Sequence, residues 1–210
     1  MASTKAYSCM LVCFSLLALH LARIRDLSPM QGQALLSTFN DLPEQMQSVL
    51  EQQETIAEIA NQYAKSRSMF YIGRTSAYPM AQEGALKLKE VSYIHAEAYP
   101  ASELKHGPLA LVDAEMPVVV VLPDNELLDK SMSALEEVKA RQGRLLVVTN
   151  SSDVRIDSLA NDVIRVASTH ALLHPLLLGV AMQLFAYHCA LALGQDVDRP
   201  RNLAKSVTVE

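Results

Sequence analysis

Residues 117–149, PVVVVLPDNELLDKSMSALEEVKARQGRLLVVT, contain two short apolar runs separated by a longer amphipathic stretch. The runs at 117–122 and 144–149 are dominated by Val and Leu, which is the pattern of strands buried on both faces. The stretch between them, residues 125–141, has the apolar spacing of a helix. Strand, helix and strand in this order predict neighbouring parallel strands joined by a crossover helix.

The same alternation continues on both sides of this unit. We predict a strand at 68–73, a helix at 78–93, a short strand at 163–166 and a final helix at 172–193 that stops at Gly194. The fold class is therefore α/β, a mostly parallel sheet between two layers of helices. Since ligands of such sheets bind beyond the carboxyl ends of the strands, the loops after Gly73 and Thr149 are expected to face a site.

The first 27 residues predict a helix with an apolar run at 9–22. The run resembles the core of a signal peptide, but Ser15 and His20 interrupt it and it is too short to span a bilayer. We interpret the segment as a buried helix and keep secretion as the alternative. No membrane association is expected.

Composition excludes several classes of function. The 210 residues carry a formal charge of −5 and no Lys/Arg-rich run, which argues against nucleic acid as a partner. Zinc patterns, P-loops and dinucleotide fingerprints are absent from the sequence, so neither a metal nor a cofactor is expected. The three cysteines, Cys9, Cys13 and Cys189, do not cluster, and we interpret them as small buried residues in a reducing compartment.

Residues 28–66 are polar and rich in Gln and Glu. Ser28 is placed to cap a helix that starts at Pro29, and Pro43 is expected to divide the region into at least two helices. Its apolar residues are too sparse to predict a core. We therefore expect a helical connector that leads into a new domain.

Titratable residues are concentrated in residues 83–112, EGALKLKEVSYIHAEAYPASELKHGPLALV. On a helix, Glu83, Lys87 and Glu90 fall within roughly 60° of one another. Such a stripe is either a solvated helix face or a set of acid–base groups. The second half brings His106 to a Gly-Pro stop at the edge of an apolar segment, where acid–base chemistry is often located.

The C-terminal residues 196–210, DVDRPRNLAKSVTVE, predict a looped segment rather than another strand or helix. Together with residues 83–112, this tail closely resembles the C-terminal isomerase half of the glutamine–fructose-6-phosphate aminotransferase (isomerising) family, also called glucosamine-6-phosphate synthase. Residues 2–6, ASTKA, are similar to a segment late in the first of that family's two sugar isomerase (SIS) domains.

The resemblance implies a three-layer α/β/α SIS fold with four parts. Residues 1–27 would be a helix from the end of a truncated first SIS domain, residues 28–66 the connector, residues 67–194 the second SIS domain and residues 195–210 a catalytic tail. The implied reaction converts fructose 6-phosphate and glutamine-derived ammonia into glucosamine 6-phosphate in the cytoplasm.

The family's roles fall on matching positions of this chain. Lys205 matches the lysine that forms a Schiff base with the ketose, and its amine must be neutral to attack a carbonyl. Glu90 matches the carboxylate that moves a proton between C1 and C2, and Lys87 a neighbouring lysine that assists at the sugar hydroxyls. His106 matches the ring-opening histidine, which in this family reaches the site of the other subunit of a homodimer.

Two further positions, Ser3 and Ala204, match residues that contact the sugar, the latter through its backbone. The family's glutaminase domain and its S-x-S-G-x-T phosphate loop are not found in the chain; residues 150–153, NSSD, are the nearest sequence. Thr75 stands where the family commonly has Gly. His95 and His188 match no catalytic residue, and we interpret them as core or interface histidines.

These differences leave more than one function open. The chain is interpreted as part of an amidotransferase–isomerase that is inactive on its own. The alternative is a non-catalytic SIS module that binds a carbohydrate derivative. A different isomerase or deglycase of the superfamily is disfavoured by the Asn-Leu-Ala-Lys of the tail.

Overall fold

A five-stranded parallel sheet forms the centre of the fold in a computed structural model that describes residues 2–203. The spatial order is β2-β1-β3-β4-β5, and every neighbouring pair is parallel. The predicted α/β class is confirmed. The strands are β1 (Ser68–Gly73), β2 (His95–Pro100), β3 (Val118–Leu122), β4 (Leu145–Thr149) and β5 (Asp162–Arg165).

Helices precede the sheet and cover both of its faces. Three short 3-10 helices, Ala101–His106, Pro108–Leu111 and Ala171–Leu173, lie in the connections. The α-helices are α1 (Thr4–Ile24), α2 (Pro29–Leu50), α3 (Gln53–Tyr63), α4 (Ala77–Ser92), α5 (Leu128–Lys139), α6 (Arg155–Leu159) and α7 (His174–Ala192).

The alternation of side chains along each strand divides the core into two layers. In β3, Val119 and Val121 face a core formed with α2, α3, α4 and α7. Val118 and Val120 face the other core, which is formed with α5, α6 and the 3-10 helices after β2. The two core layers therefore lie on opposite faces of one sheet.

Two segments, Thr4–Ile24 and Ala171–Ala192, are long and apolar enough to cross a membrane by length and composition alone. The second contains α7, most of which is buried, and α7 is the central helix of the first core layer. Such a core helix is apolar on all sides because other elements surround it.

The first of these segments, α1, is not the buried helix that the sequence predicts. Only Ser15 and Leu19 are buried, and Cys9 and Cys13 are exposed, so the prediction of buried cysteines holds for Cys189 alone. The difference arises because one side of α1 is not covered by any other part of residues 2–203. Apolar side chains recur there every three or four residues: Met10, Phe14, Leu17, Leu21 and Ile24.

The region before the sheet contributes more to the core than its composition suggests. Ser28 forms the predicted cap, with its hydroxyl accepting from the Gln31 amide and the Gln31 side chain accepting from the Ser28 amide. The predicted break at Pro43 is wrong, because α2 continues through it. Pro43 has no N–H, so the helix loses one backbone hydrogen bond at this position. Burial of neighbouring apolar residues of α2 keeps the helix continuous. Those buried in the first core layer from this region are Leu42, Val49, Ile56, Ile59, Ala60, Tyr63 and Ala64.

Candidate active site

The predicted charged stripe lies on a largely buried side of α4. Glu83 and Lys87 are only 8% and 4% exposed, which is inconsistent with a solvated helix face. The Lys87 Nζ atom is 2.5 Å from Glu90 Oε2 and 4.0 Å from Glu83 Oε1. One ammonium thus sits between two carboxylates, and the nearer of these, Glu90, is partly exposed.

Close packing of α4 against the sheet and α7 explains the burial of this stripe. Gly84 follows Glu83 directly, and a Cβ atom at Gly84 would come within 2.7 Å of both Met182 in α7 and Tyr71 in β1. Because Gly has no side chain, the neighbouring helix and strand approach closely at this point. This close approach buries Glu83, the neighbour of Gly84, in the layer between α4 and α7.

Gln183 of α7 fixes the more buried carboxylate. Its Nε2 atom donates to Glu83 Oε1 at 3.1 Å. Burial raises the pKa of Glu83, while the Gln183 hydrogen bond and the Lys87 charge oppose that rise. Burial, with a contribution from the Glu83 charge, also raises the pKa of Tyr7 in α1 to about 12. Residues from α1, α4 and α7 are therefore electrostatically coupled.

A cleft of about 220 Å³ opens beside Lys87, and we call it the Lys87 cleft. Ser3 lies between two of its lining residues and is the N-cap of α1, with its hydroxyl not engaged in capping. The start of the described chain, two helices and the tail meet at this cleft, whose lining is Ala2, Thr4, Lys87, Val91, Gln183, Ala186, Tyr187, Val197 and Asp198.

The tail is attached to the end of α4. The Arg201 amide donates to the Tyr93 hydroxyl at 2.7 Å, and the Arg201 guanidinium lies 4.1 Å from the centre of the Tyr93 ring. Tyr93 is the C-cap of α4, three residues after Glu90. Two predicted site residues, Ala204 and Lys205, follow Arg201 closely in sequence but lie outside the described residues.

His106 is not brought to this cleft within one chain. It ends the 3-10 helix Ala101–His106 and is exposed, and Gly107 follows with a φ of 146°. The same 3-10 helix packs its Ala101 and Leu104 into the second core layer, on the face of the sheet opposite α4. The structure therefore pairs Lys87 with Glu90, places Ser3 between two residues that line the Lys87 cleft, and places His106 elsewhere.

The loop after β4 satisfies its polar groups internally. The Thr149 hydroxyl accepts from the Ser151 amide at 2.9 Å, and Asn150 Oδ1 accepts from the Asp124 amide at 2.9 Å. The Asn150 Nδ2 atom is 3.1 Å from the ring of His174, which is buried. The nearest sequence to a phosphate loop is thus part of a hydrogen-bonded turn.

His188 and His95, which match no catalytic residue, differ in their surroundings. The His188 side chain is partly buried, and its Nε2 atom has no hydrogen-bond partner within the described part of the chain. Its pKa is lowered by burial. His95 is not a core residue: its side chain is 59% exposed on the edge strand β2, where it contacts Ser68.

Three residues of the site were not singled out from the sequence: Tyr7, Tyr93 and Gln183. Gln183 did leave a signal, since it is the single amide in the apolar run GVAMQLFA of α7. A lone polar residue in a buried helix usually has a specific partner. The Tyr93–Arg201 contact left none, because its members are 108 positions apart.

Comparison with known proteins gives consistent results. The family model for the SIS domain matches residues 62–193. Glutamine–fructose-6-phosphate aminotransferase (isomerising) from a strain of Thermus thermophilus is 49% identical over 210 residues, which are all of this chain and 35% of that protein. The Escherichia coli protein of the same name is 46% identical over 209 residues, 34% of its length. The chain thus spans about a third of the length of these relatives.

Solved structures show the same relationship. The C-terminal domain of glucosamine-fructose-6-phosphate aminotransferase from Francisella tularensis matches with a TM-score of 0.86 and 38% identity, covering 93% of this chain and 55% of that one. Glucosamine-6-phosphate deaminase from Thermotoga maritima matches with a TM-score of 0.62, covering 94% of this chain and 56% of that one. At 20% identity, the second match shows the fold alone.

Proposed function

The chain belongs to the SIS domain family, and we propose that it is the isomerase part of an enzyme that makes glucosamine 6-phosphate. The substrates would be fructose 6-phosphate and ammonia derived from glutamine. One observation carries this proposal: the buried Lys87, which is paired with Glu90, lines the Lys87 cleft in a chain that matches glutamine–fructose-6-phosphate aminotransferases over its entire length.

The proposed chemistry begins with opening of the sugar ring, for which His106 gives and takes a proton. Lys205 adds to the C2 carbonyl with loss of water, and ammonia then replaces the lysine at C2. Glu90 removes a proton from C1 and returns one to C2, which converts the ketose imine into the 2-amino aldose. Each step needs a group that changes protonation state, and Lys, Glu and His supply these.

The arrangement around Glu90 supports the shuttle role. Lys87 is almost fully buried and fixes one Glu90 oxygen at 2.5 Å, so the carboxylate has a defined position at the end of α4. The carboxylate itself is partly exposed and can be reached by a ligand. The hydrogen bond from the Arg201 amide to the Tyr93 hydroxyl holds the described part of the tail at this end of α4.

We propose that two copies of the chain complete each site. The face of the sheet that carries His106 is opposite to the face that carries Glu90, which supports a role of His106 in the site of the partner in a homodimer. Mixing inactive His106→Ala and Lys205→Ala subunits of the complete enzyme tests this, because one of the mixed sites would regain both groups. Failure to recover activity would mean that each site is self-contained.

We further propose a cytoplasmic location. Cys9, Cys13 and Cys189 are free thiols, and two of them are exposed. Exposed unpaired thiols are typical of a reducing compartment.

The second candidate function is a non-catalytic module that binds a carbohydrate derivative. It is favoured by one observation, the lack of an S-x-S-G-x-T sequence anywhere in the 210 residues. For that reason we expect the purified chain to show no turnover of fructose 6-phosphate, with or without ammonia.

A hybrid enzyme separates the two candidates. In it, this chain replaces the 210 matching residues of the T. thermophilus protein, which supplies the rest of the polypeptide. We expect the hybrid to form glucosamine 6-phosphate and its Glu90→Gln variant to be inactive. A folded hybrid without activity would favour the non-catalytic module.

A further inference from the structure

We propose that the fold contains a separate binding site for a phosphate monoester of a small polar molecule. The site is a cleft of about 310 Å³ between the end of β1, the 3-10 helix after β2 and α5, and we call it the Arg74 cleft. Its polar lining consists of Arg74, Ser102, Lys105, Lys130, Ser133 and Glu137.

The Arg74 cleft is positive in a protein of net negative charge. Three of its side chains are cationic and one is anionic, so the cleft carries a formal charge of +2, whereas the whole chain carries −5. Glu137 pairs with Lys105 at 2.7 Å. Across residues 2–203, neither Arg74 nor Lys130 forms an ion pair with a carboxylate. Two cations are therefore available to an anionic ligand.

One hydrogen-bond donor of the Arg74 guanidinium is unpaired among the described residues. Its Nε atom is buried and has no partner among the described residues. Its Nη2 atom donates a long hydrogen bond of 3.4 Å to the Lys130 carbonyl, which places the guanidinium next to α5. A buried donor without a partner costs free energy, and an oxyanion at that position would relieve the cost. Guanidinium groups match phosphate oxygens particularly well.

The position in the fold agrees with a ligand site. Arg74 directly follows the last residue of β1, at the carboxyl edge of the parallel sheet, where ligands of α/β folds bind. The next residue, Thr75, has a φ of 49°, a left-handed conformation that β-branched residues rarely adopt. Backbone strain of this kind is concentrated at functional sites.

The Arg74 cleft is distinct from the Lys87 cleft. The two share no lining residue, and α5 and the 3-10 helix pack in the second core layer while α4 packs in the first. The inference therefore does not depend on the Lys87 cleft of the same chain. The volume is at the small end of ligand pockets, which suits a phosphate with a small polyol rather than a nucleotide.

Nuclear magnetic resonance on the purified chain tests the site directly. The Nε–H signal of Arg74 and the backbone amides of Thr75 and Ser102 are followed while inorganic phosphate, glucose 6-phosphate or glucose is added at constant ionic strength. We expect saturable shifts with both phosphates and none with glucose. Tighter binding of glucose 6-phosphate than of inorganic phosphate would assign the ester as the ligand, and equal binding would assign the phosphoryl group alone.

Substitutions identify the residues responsible. Arg74→Lys keeps the charge but loses the planar fork, so we expect roughly tenfold weaker binding. Lys130→Gln should also weaken binding, whereas Lys89→Gln, which removes an exposed charge of α4, should leave it unchanged. If circular dichroism shows that Arg74→Lys does not fold, the binding of phosphate by Lys130→Gln and Lys89→Gln is compared instead. Absence of saturable shifts, equal shifts with glucose, or equal losses in the Lys130 and Lys89 variants would overturn the proposal.

Discussion

Lys87 and Glu90 form an ion pair of 2.5 Å in which the lysine is almost fully buried and the carboxylate is partly exposed. Removal of one member leaves an uncompensated charge in or near the core. We expect Lys87→Met, which roughly keeps the volume, to lower the free energy of unfolding by about 3 kcal/mol. The double variant Lys87→Met/Glu90→Gln should recover part of that loss, as measured by urea denaturation.

The exposed Lys89 of the same helix provides the matched control for that experiment. Lys89→Met should change stability by less than about 0.5 kcal/mol. Equal losses in Lys87→Met and Lys89→Met would show that the buried pair has no special energetic role.

Glu83 predicts a specific dependence of stability on pH. Its pKa is raised in the folded chain, mainly by burial, so the stability associated with its protonated form is fully present below the unfolded pKa. This stability is lost as the pH rises through the folded pKa. We therefore expect wild type to lose stability relative to Glu83→Gln as the pH rises above about 4, the usual pKa of a Glu side chain.

Urea denaturation at a series of pH values measures this difference. Glu54→Gln, on the exposed side of α3, controls for the removal of one carboxylate from the net charge. A difference between wild type and Glu83→Gln that is constant or of the opposite sign would contradict the assignment of burial as the dominant effect.

Thr75 is expected to be a strained position. A β-branched residue at a φ of 49° lowers the stability of the fold by about 1–3 kcal/mol. Gly removes that strain, but the greater entropy of its unfolded chain lowers stability by roughly 0.4–1 kcal/mol. Thr75→Gly should therefore raise the melting temperature. Thr75→Val, which keeps the branched side chain, should not, and a lower melting temperature for Thr75→Gly would argue against strain.

Two glycines test the packing that buries the charged stripe. A Cβ atom at Gly84 would come within 2.7 Å of Met182 and Tyr71, so Gly84→Ala should destabilise the fold by about 1–3 kcal/mol. Among residues 2–203, a Cβ atom at Gly179 in α7 would meet Tyr7 alone, at an ordinary 3.4 Å. Gly179→Ala should be neutral or stabilise by up to about 1 kcal/mol, since Ala is the better helix former. Equal effects in thermal denaturation would mean that α4 has room to move.

Much of the fold could be predicted because its central strands carry the signal of complete burial. β3 and β4 consist of apolar residues almost without interruption, since both have strands on either side and core layers on both faces. β2 was missed because HAEAYP lies at the edge of the sheet and exposes every second residue near its start. Its pairing with β1 joins residues 27 positions apart and leaves no local pattern.

The site could be predicted only in part. The spacing of Glu83, Lys87 and Glu90 places them on one side of α4, but sequence alone left open whether that side was solvated. In the structure this side of α4 packs against α7, where Gln183 donates a hydrogen bond to Glu83, a residue 100 positions away in the sequence. The exposed side of α1 was not predictable either, because apolar spacing indicates a face that can be buried without showing what covers it.

The most direct test of the proposed function is to trap the sugar on the hybrid enzyme. Fructose 6-phosphate is added with borohydride, which reduces an imine between a lysine and the ketose to a stable amine, and the modified peptide is identified by mass spectrometry. We expect the added mass on Lys205 and its loss in the Lys205→Arg variant. Modification of a different lysine, or an active hybrid in which Lys205 is never modified, would contradict the proposed role of Lys205.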